Sequence, residues 1–316
     1  MYNFRTDLAD ERRDIFRKAN KIENEIDGIK SEEKIYSEKL KTTKVKVINE
    51  EGAKSIGKPI GNYITIDLKG LKTFDDEQIQ KAAEILSLEL RGLIDIHVQK
   101  EDPILICGLG NQYVTPDSLG PKVINEVDVT RHILKFMPQY LEPGTRSVSA
   151  ISPGVLGTTG IETLEILKGI VDNIHPKLLI VIDALASRSI ERISSTVQLA
   201  DTGIVPGAGV GNTRKDISKD SLGIPVIALG IPTVVETAVV VNDCLDLFIQ
   251  KLQEEAKSND YLNNLKENDN YEEIKSALIP NDYNMIVTPK EIDELIENMK
   301  DVVARRNKFV LVIFFV

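Results

Sequence analysis

Three apolar runs frame the chain: Pro103-Ile-Leu-Ile-Cys-Gly108, Pro176-Lys-Leu-Leu-Ile-Val-Ile-Asp183 and Gly223-Ile-Pro-Val-Ile-Ala-Leu-Gly230. Each is β-rich and continuous rather than alternating, and each is separated from the next by a segment with helical signals. That is the pattern of strands buried on both faces of a sheet. Residues 162–171 and 234–252 supply two such helices. Upstream, Val45–Ile48 and Tyr63–Leu68 alternate in the strand manner around the turn-rich Gly57–Gly61, which predicts an antiparallel pair. Helical periodicity then runs over 77–92, with Ala82, Ile85, Leu86 and Leu90 on one side. The fold class expected is α/β, a doubly wound sheet that is mostly parallel or mixed, with an extra antiparallel strand pair.

The ends of the chain read differently. Residues 1–44 mix Lys with Glu and offer few apolar anchors, as a mobile leader or a solvated helix would. Residues 253–280 turn polar and read as a surface insertion. A last amphipathic helix is marked by Thr288-Pro289-Lys290-Glu291, with Thr at the cap, Pro at the first helical position and an acid in the first turn. The segment Phe309–Val316 is apolar and β-prone, far short of the roughly 20 residues that span a bilayer.

A formal charge of −10 argues against direct nucleic-acid binding, which draws on clustered Lys and Arg. Two cysteines, Cys107 and Cys244, stand far apart in apolar surroundings, where buried, inert thiols are expected rather than a disulfide framework or a zinc site. With no signal-peptide pattern and no membrane-length run, a cytoplasmic location is expected.

Two acids stand where an open α/β sheet gathers its chemistry, outside the carboxyl ends of the parallel strands. Asp117 lies in the loop Gly108–Pro121 after the first run, and Asp183 ends the second, followed by the small residues Ala184, Ala186 and Ser187. On neighbouring strands the two carboxyls would share a cleft, and like charges held close raise one pKa so that the pair carries a single proton. In a purely structural role Asp117 would cap a helix and Asp183 would accept hydrogen bonds from a loop. Other chemistry is weaker. Gly207-Ala-Gly-Val-Gly211 follows Pro206 rather than a strand, so it shapes a pocket rather than binding a dinucleotide. His97, His132 and His175 lie singly, without metal-ligand spacing, and Ser187 lacks the glycines of a nucleophile elbow. No metal and no cofactor is called for.

The motifs RTDLADE, GLGN with VTPDSLGP, SPGVLGTTGIET, IDALASRSIERI, TVQLADTGIVPGAGVGNTRK and LGIPVIALGIPTVV are long and specific. From residue 5 to about 252, and again in NMIVTPKEIDELIENM, the chain resembles the germination proteases of spore-forming bacteria. The resemblance implies a phosphorylase/hydrolase-like fold similar to that of hydrogenase maturation endopeptidases, with Asp117 and Asp183 as the catalytic carboxylates. It also implies a homotetrameric zymogen in the forespore and spore core that degrades small acid-soluble spore proteins at germination. The zymogen would remove its own leader, residues 1–7, from a single peptidase domain, 8–316. Cuts in this family follow an acidic residue and precede a large apolar residue and then Ala, a pattern met at Asp7-Leu8-Ala9. The leader ahead of RTDLA, Met1–Phe4, is shorter than is usual for the family, and the apolar C-terminal residues are unlike its small-residue tail. Alternatives are a metal-dependent maturation endopeptidase, in which the same acids would hold nickel, and a non-enzymatic binder of basic spore proteins.

Overall fold

The computed structural model describes residues 6–70, 75–207, 214–241, 244–245, 247–248 and 285–304. Its strands are β1 (Ile29–Ser37), β2 (Leu40–Val47), β3 (Gly61–Leu68), β4 (Ile104–Gly108), β5 (Val148–Ile151), β6 (Leu178–Ser187), β7 (Thr196–Ala200), β8 (Val226–Glu236) and β9 (Ile286–Val287). They form one sheet in the order β1-β2-β3-β7-β8-β6-β4-β5, with β9 paired to β8. The β5-β4-β6-β8 half is parallel and the β8-β7-β3-β2-β1 half is antiparallel. The expected mixed α/β sheet is therefore present.

The parallel half explains the unbroken apolar runs. Alternate residues face opposite layers: Ile104, Ile106, Ile180 and Ile182 pack with the helix Asp76–His97 and the C-terminal helix Ile292–Ala304. Leu105, Cys107, Leu179 and Val181 pack with Leu167 and Val171 of the helix Thr163–Ile174. Neither face meets water, so neither can be polar.

Several elements depart from expectation. The antiparallel pair forms, with Val45 opposite Tyr63, but it belongs to a three-stranded meander. Its third member, β1, comes from the charged segment 1–44, which also carries a helix at Ala9–Ala19. Most of β1 is exposed, so its charges suit an edge strand that must not pair further. Between β2 and β3 lies a short helix, Glu50–Ile56, capped by the Asn49 side chain, which accepts from Gly52 N–H at 2.9 Å, and closed by Gly57 at φ 61°. The strand β7, five buried residues, lies between β3 and β8 in the sheet and has no counterpart among the expected strands. Residues 234–236, expected in a helix, extend β8, and helical backbone begins at 237.

Thr288 does not cap the last helix. Its hydroxyl donates to the Thr233 carbonyl at 2.9 Å, which pins the approach to that helix against β8, and the helix starts at Ile292. Cys107 is buried as expected, whereas Cys244 is exposed, on a helix whose Leu245, Leu247 and Phe248 are exposed too. The expected insertion 253–280 and the segment Phe309–Val316 lie outside the described residues.

Backbone contact fixes the join between β4 and the short helix Leu119–Ile124. A Cβ built on Gly108 would stand 2.2 Å from the Gly120 carbonyl oxygen, and one on Gly120 would stand 2.2 Å from that of Leu109. Gly92, by contrast, sits exposed within the helix Asp76–His97 with nothing near its missing Cβ. Gly120→Ala should cost about 1–3 kcal/mol of stability through overpacking, while Gly92→Ala should add up to about 1 kcal/mol through helix propensity. Denaturant midpoints of the two variants, read against the parent, should move in opposite directions.

Candidate active site

Asp183 lies inside β6, not at its end, since the strand continues to Ser187. Its neighbour β4 stops earlier: Gly108 pairs with Ile182, so Asp183 is the first β6 residue past the end of β4. The carboxyl thus stands at the lip left by the shorter strand. It is buried, and its Oδ1 accepts from Ala184 N–H at 2.9 Å.

Asp117 reaches that lip from the loop after β4. It closes a 3₁₀ turn, Thr115–Asp117, and its Oδ2 accepts from Asn111 N–H at 2.7 Å. It does not cap the following helix, whose N-cap residue is Ser118. The loop folds back through Gly110, at φ 111°, where a Cβ would lie 2.0 Å from the Asp117 carbonyl oxygen. Only glycine meets both demands.

The two carboxyls line one cavity of about 490 Å³, together with Val114, Val155, Leu156 and Val205. Burial pushes the Asp183 carboxyl well above the usual carboxylate range, and the nearby Asp117 pushes it further; the Ala184 hydrogen bond opposes them and Asp7 adds to the rise. Burial also raises Asp117, opposed by its hydrogen bond from Asn111. Two raised carboxyls in one cavity can hold an acid and a base together.

Asp7 lines the same cavity. Its N–H donates to the Ala186 carbonyl at 3.3 Å, and its Oδ2 accepts from Ala186 N–H at 3.2 Å, so it is docked on β6 just past Asp183. Leu8 and Ala9 are buried without residue. The Leu8 N–H donates to Thr6 Oγ1 at 3.0 Å. Just beyond, Arg192 anchors the start of the first helix through Asp10 at 2.7 Å and Glu11 at 3.3 Å.

A second cavity, also bordered by Asp7, holds Arg12, Lys58, Tyr63 and Gln198. Burial lowers the Lys58 ammonium to about 8; neighbouring Arg12 lowers it too, while Asp7 opposes. Sequence reasoning passed over Arg12, Lys58 and Gln198. The one signal available for Gln198 is an amide at an inward position of the short apolar run Thr196–Ala200.

The three histidines are absent from the described lining of either cavity. His175 ends a helix at φ 51°, and His97 lies 3.6 Å from Asp201. Among the described residues no group of three or more His, Cys, Asp or Glu side chains is arranged to hold a metal ion. Gly207 borders the first cavity, while 208–213 lie outside the described residues. Ser187 is buried, and its hydroxyl donates to the Ser189 carbonyl.

A family model described as germination protease matches residues 6–264. A germination protease of Clostridium perfringens is 47% identical over 308 residues, covering 96% of this chain and 94% of its own length. One from Caldanaerobacter subterraneus subsp. tengcongensis is 45% identical over 305 residues, covering 95% and 92%. Among solved structures, a NiFe hydrogenase maturation protease from Thermococcus kodakarensis overlaps 46% of this chain and 80% of its own, with 17% identity and a TM-score of 0.29. By the family match and the extent of these relationships, the chain belongs to the germination protease family.

Proposed function

We propose that this germination protease is the zymogen of an aspartic-type endopeptidase that begins the breakdown of small acid-soluble spore proteins, with Asp117 as base and Asp183 as acid. The observation that carries the reading is the pair of raised carboxyls in one cavity with Asp7 docked against them. The more deeply buried Asp183 keeps its proton, and Asp117 ionises first. Asp117 takes a proton from water as the water oxygen bonds to the peptide carbonyl carbon and the C=O electron pair moves onto the carbonyl oxygen. The C–N bond then breaks as the carbonyl re-forms and Asp183 gives its proton to the leaving nitrogen.

In the zymogen the first bond cut is Asp7–Leu8. Its acidic residue borders Arg12 and Lys58, cations suited to reading the acid before the cut. Held on the protein, the leader meets the acids at a high effective concentration, so this bond yields before those of external proteins. The working enzyme is a homotetramer of the forespore and spore-core cytoplasm.

Asp117→Asn and Asp183→Asn should each fold yet lose cleavage of a small acid-soluble spore protein by about 10²–10⁴-fold, with chelators having no effect. Inhibition by EDTA would favour the metal-dependent alternative, and undiminished activity in either variant would remove the dyad. Mass spectrometry of the full chain incubated at acid pH should show a new N-terminus at Leu8, absent from both Asn variants and blocked by Asp7→Lys.

A raised carboxyl pKa also has a sign in stability. The folded state binds the Asp183 proton more tightly than the unfolded chain, so its contribution is fully present below about pH 4 and is lost as pH rises through the folded-state pKa. An Asn at this position keeps the acceptor for Ala184 and does not ionise. The melting temperature of Asp183→Asn relative to the parent should therefore climb steadily between pH 4 and 8; a constant difference would mean that Asp183 holds no such proton.

A further inference from the structure

Gln198 stands at the middle of β7, and its backbone is in register with Gly230 of β8, which in turn is in register with Asp183 of β6. Residues directly opposite on adjacent strands project to the same face. Gln198 and Asp183 therefore share one row and one face of the sheet, two strand spacings or about 10 Å apart. The glycine between them carries no side chain, and a Cβ there would lie 2.3 Å from Leu185 Cδ1.

Over this row lies the Asp7–Ala9 segment. The Gln198 Nε2 donates to the Asp7 carbonyl oxygen at 3.0 Å, and its Oε1 accepts from Ala9 N–H at 2.7 Å. A carbonyl can only accept and a backbone N–H can only donate, so the two partners fix which way round the amide lies. One buried side chain thus grips the main chain on both sides of the Asp7–Leu8 bond and touches the carbonyl oxygen of that bond.

We propose that Gln198 is a third catalytic group of this site, resting on the reading that Asp7–Leu8 is the bond cut. When water adds to the Asp7 carbonyl carbon, the electron pair of the C=O bond moves onto the oxygen, and the Nε2–H bond strengthens as that charge develops. When the carbonyl re-forms, the bond to the Leu8 nitrogen breaks, and that nitrogen takes the acid's proton. The Oε1 contact to Ala9 sets the register of this segment on β7, and with it the peptide bond presented for the cut. Both contacts are to main-chain atoms, so they serve any sequence in the groove, and the choice of side chain falls to other groups.

The test follows the appearance of the Leu8 N-terminus in the full chain by mass spectrometry over a pH series, with thermal unfolding measured alongside. Gln198→Ala should slow the cut by about 10²-fold, the usual effect of losing one donor to a developing oxyanion. Gln198→Glu keeps the size and the acceptor but has no donor while ionised. Its rate should be low at neutral pH and recover as acid protonates the introduced carboxyl, more steeply than the parent's. Should the alanine variant fail to fold, this profile decides the matter, because a merely structural role would not tie the rate to that proton. A Gln198→Glu protein with the parent's rate and profile, beside inactive Asp117→Asn and Asp183→Asn proteins, would overturn the role of Gln198 alone. A Leu8 terminus appearing at the parent's rate in the Asp variants would overturn the acid pair and this inference with it.

Discussion

At Gly108 and Gly120 the end of a strand and the beginning of a helix come closer than any side chain allows. Asp117 lies three residues before Gly120, so the depth to which the helix settles onto β4 decides where that carboxyl stands. Gly110 makes a second such approach, to the main chain of Asp117 itself. Asp183 needs no comparable device, because it is carried by a strand with neighbours on both sides. The meeting of the two acids therefore depends on backbone packing on the Asp117 side of the cleft, and on the apolar layers on both faces of the sheet on the Asp183 side.

Placing two carboxyls in a cleft that buries one and half-buries the other opposes folding, since each would rather ionise in solvent. The raised pKa of Asp183 is the trace of that opposition. The cost is borne by the surrounding structure: β6 is buried almost throughout, and its flanking strands bring apolar side chains to both layers. A site of this kind is a place where local stability is given up for reactivity.

The parallel half of the fold was legible because strands buried twice leave continuous apolar text, and the two acids stood out because they interrupt or end that text. The antiparallel half was harder to read. β1 carries Ser31, Glu32, Glu33 and Lys34 in succession, and only its pairing with β2 makes it a strand. β7 is too short to separate from loop by composition, so Gln198 had no frame in which to look unusual. The run ending at Asp183 read as a finished strand, whereas the small residues after it continue the ladder with β8. What fixes that extension is the partner strand, which no local window contains. The glycine contacts were visible as letters, but their meaning lies in what each approaches.

The burial of Leu8 and Ala9 would give the two sides of the proposed cut after Asp7 unequal fates. The downstream side remains part of the first helix, tied by Arg192 to the body of the protein. The upstream side, among the described residues, is held by hydrogen bonds of Thr6 and Asp7 to Glu11, Arg12, Ala186 and Gln198 and, once severed, would be free to dilute into the surrounding volume. To return it would have to compete at its bulk concentration rather than at the far higher one its tether had given it. Breaking one bond there would work as a ratchet, made directional by loss of the fragment and without any need for the peptide bond itself to be high in energy.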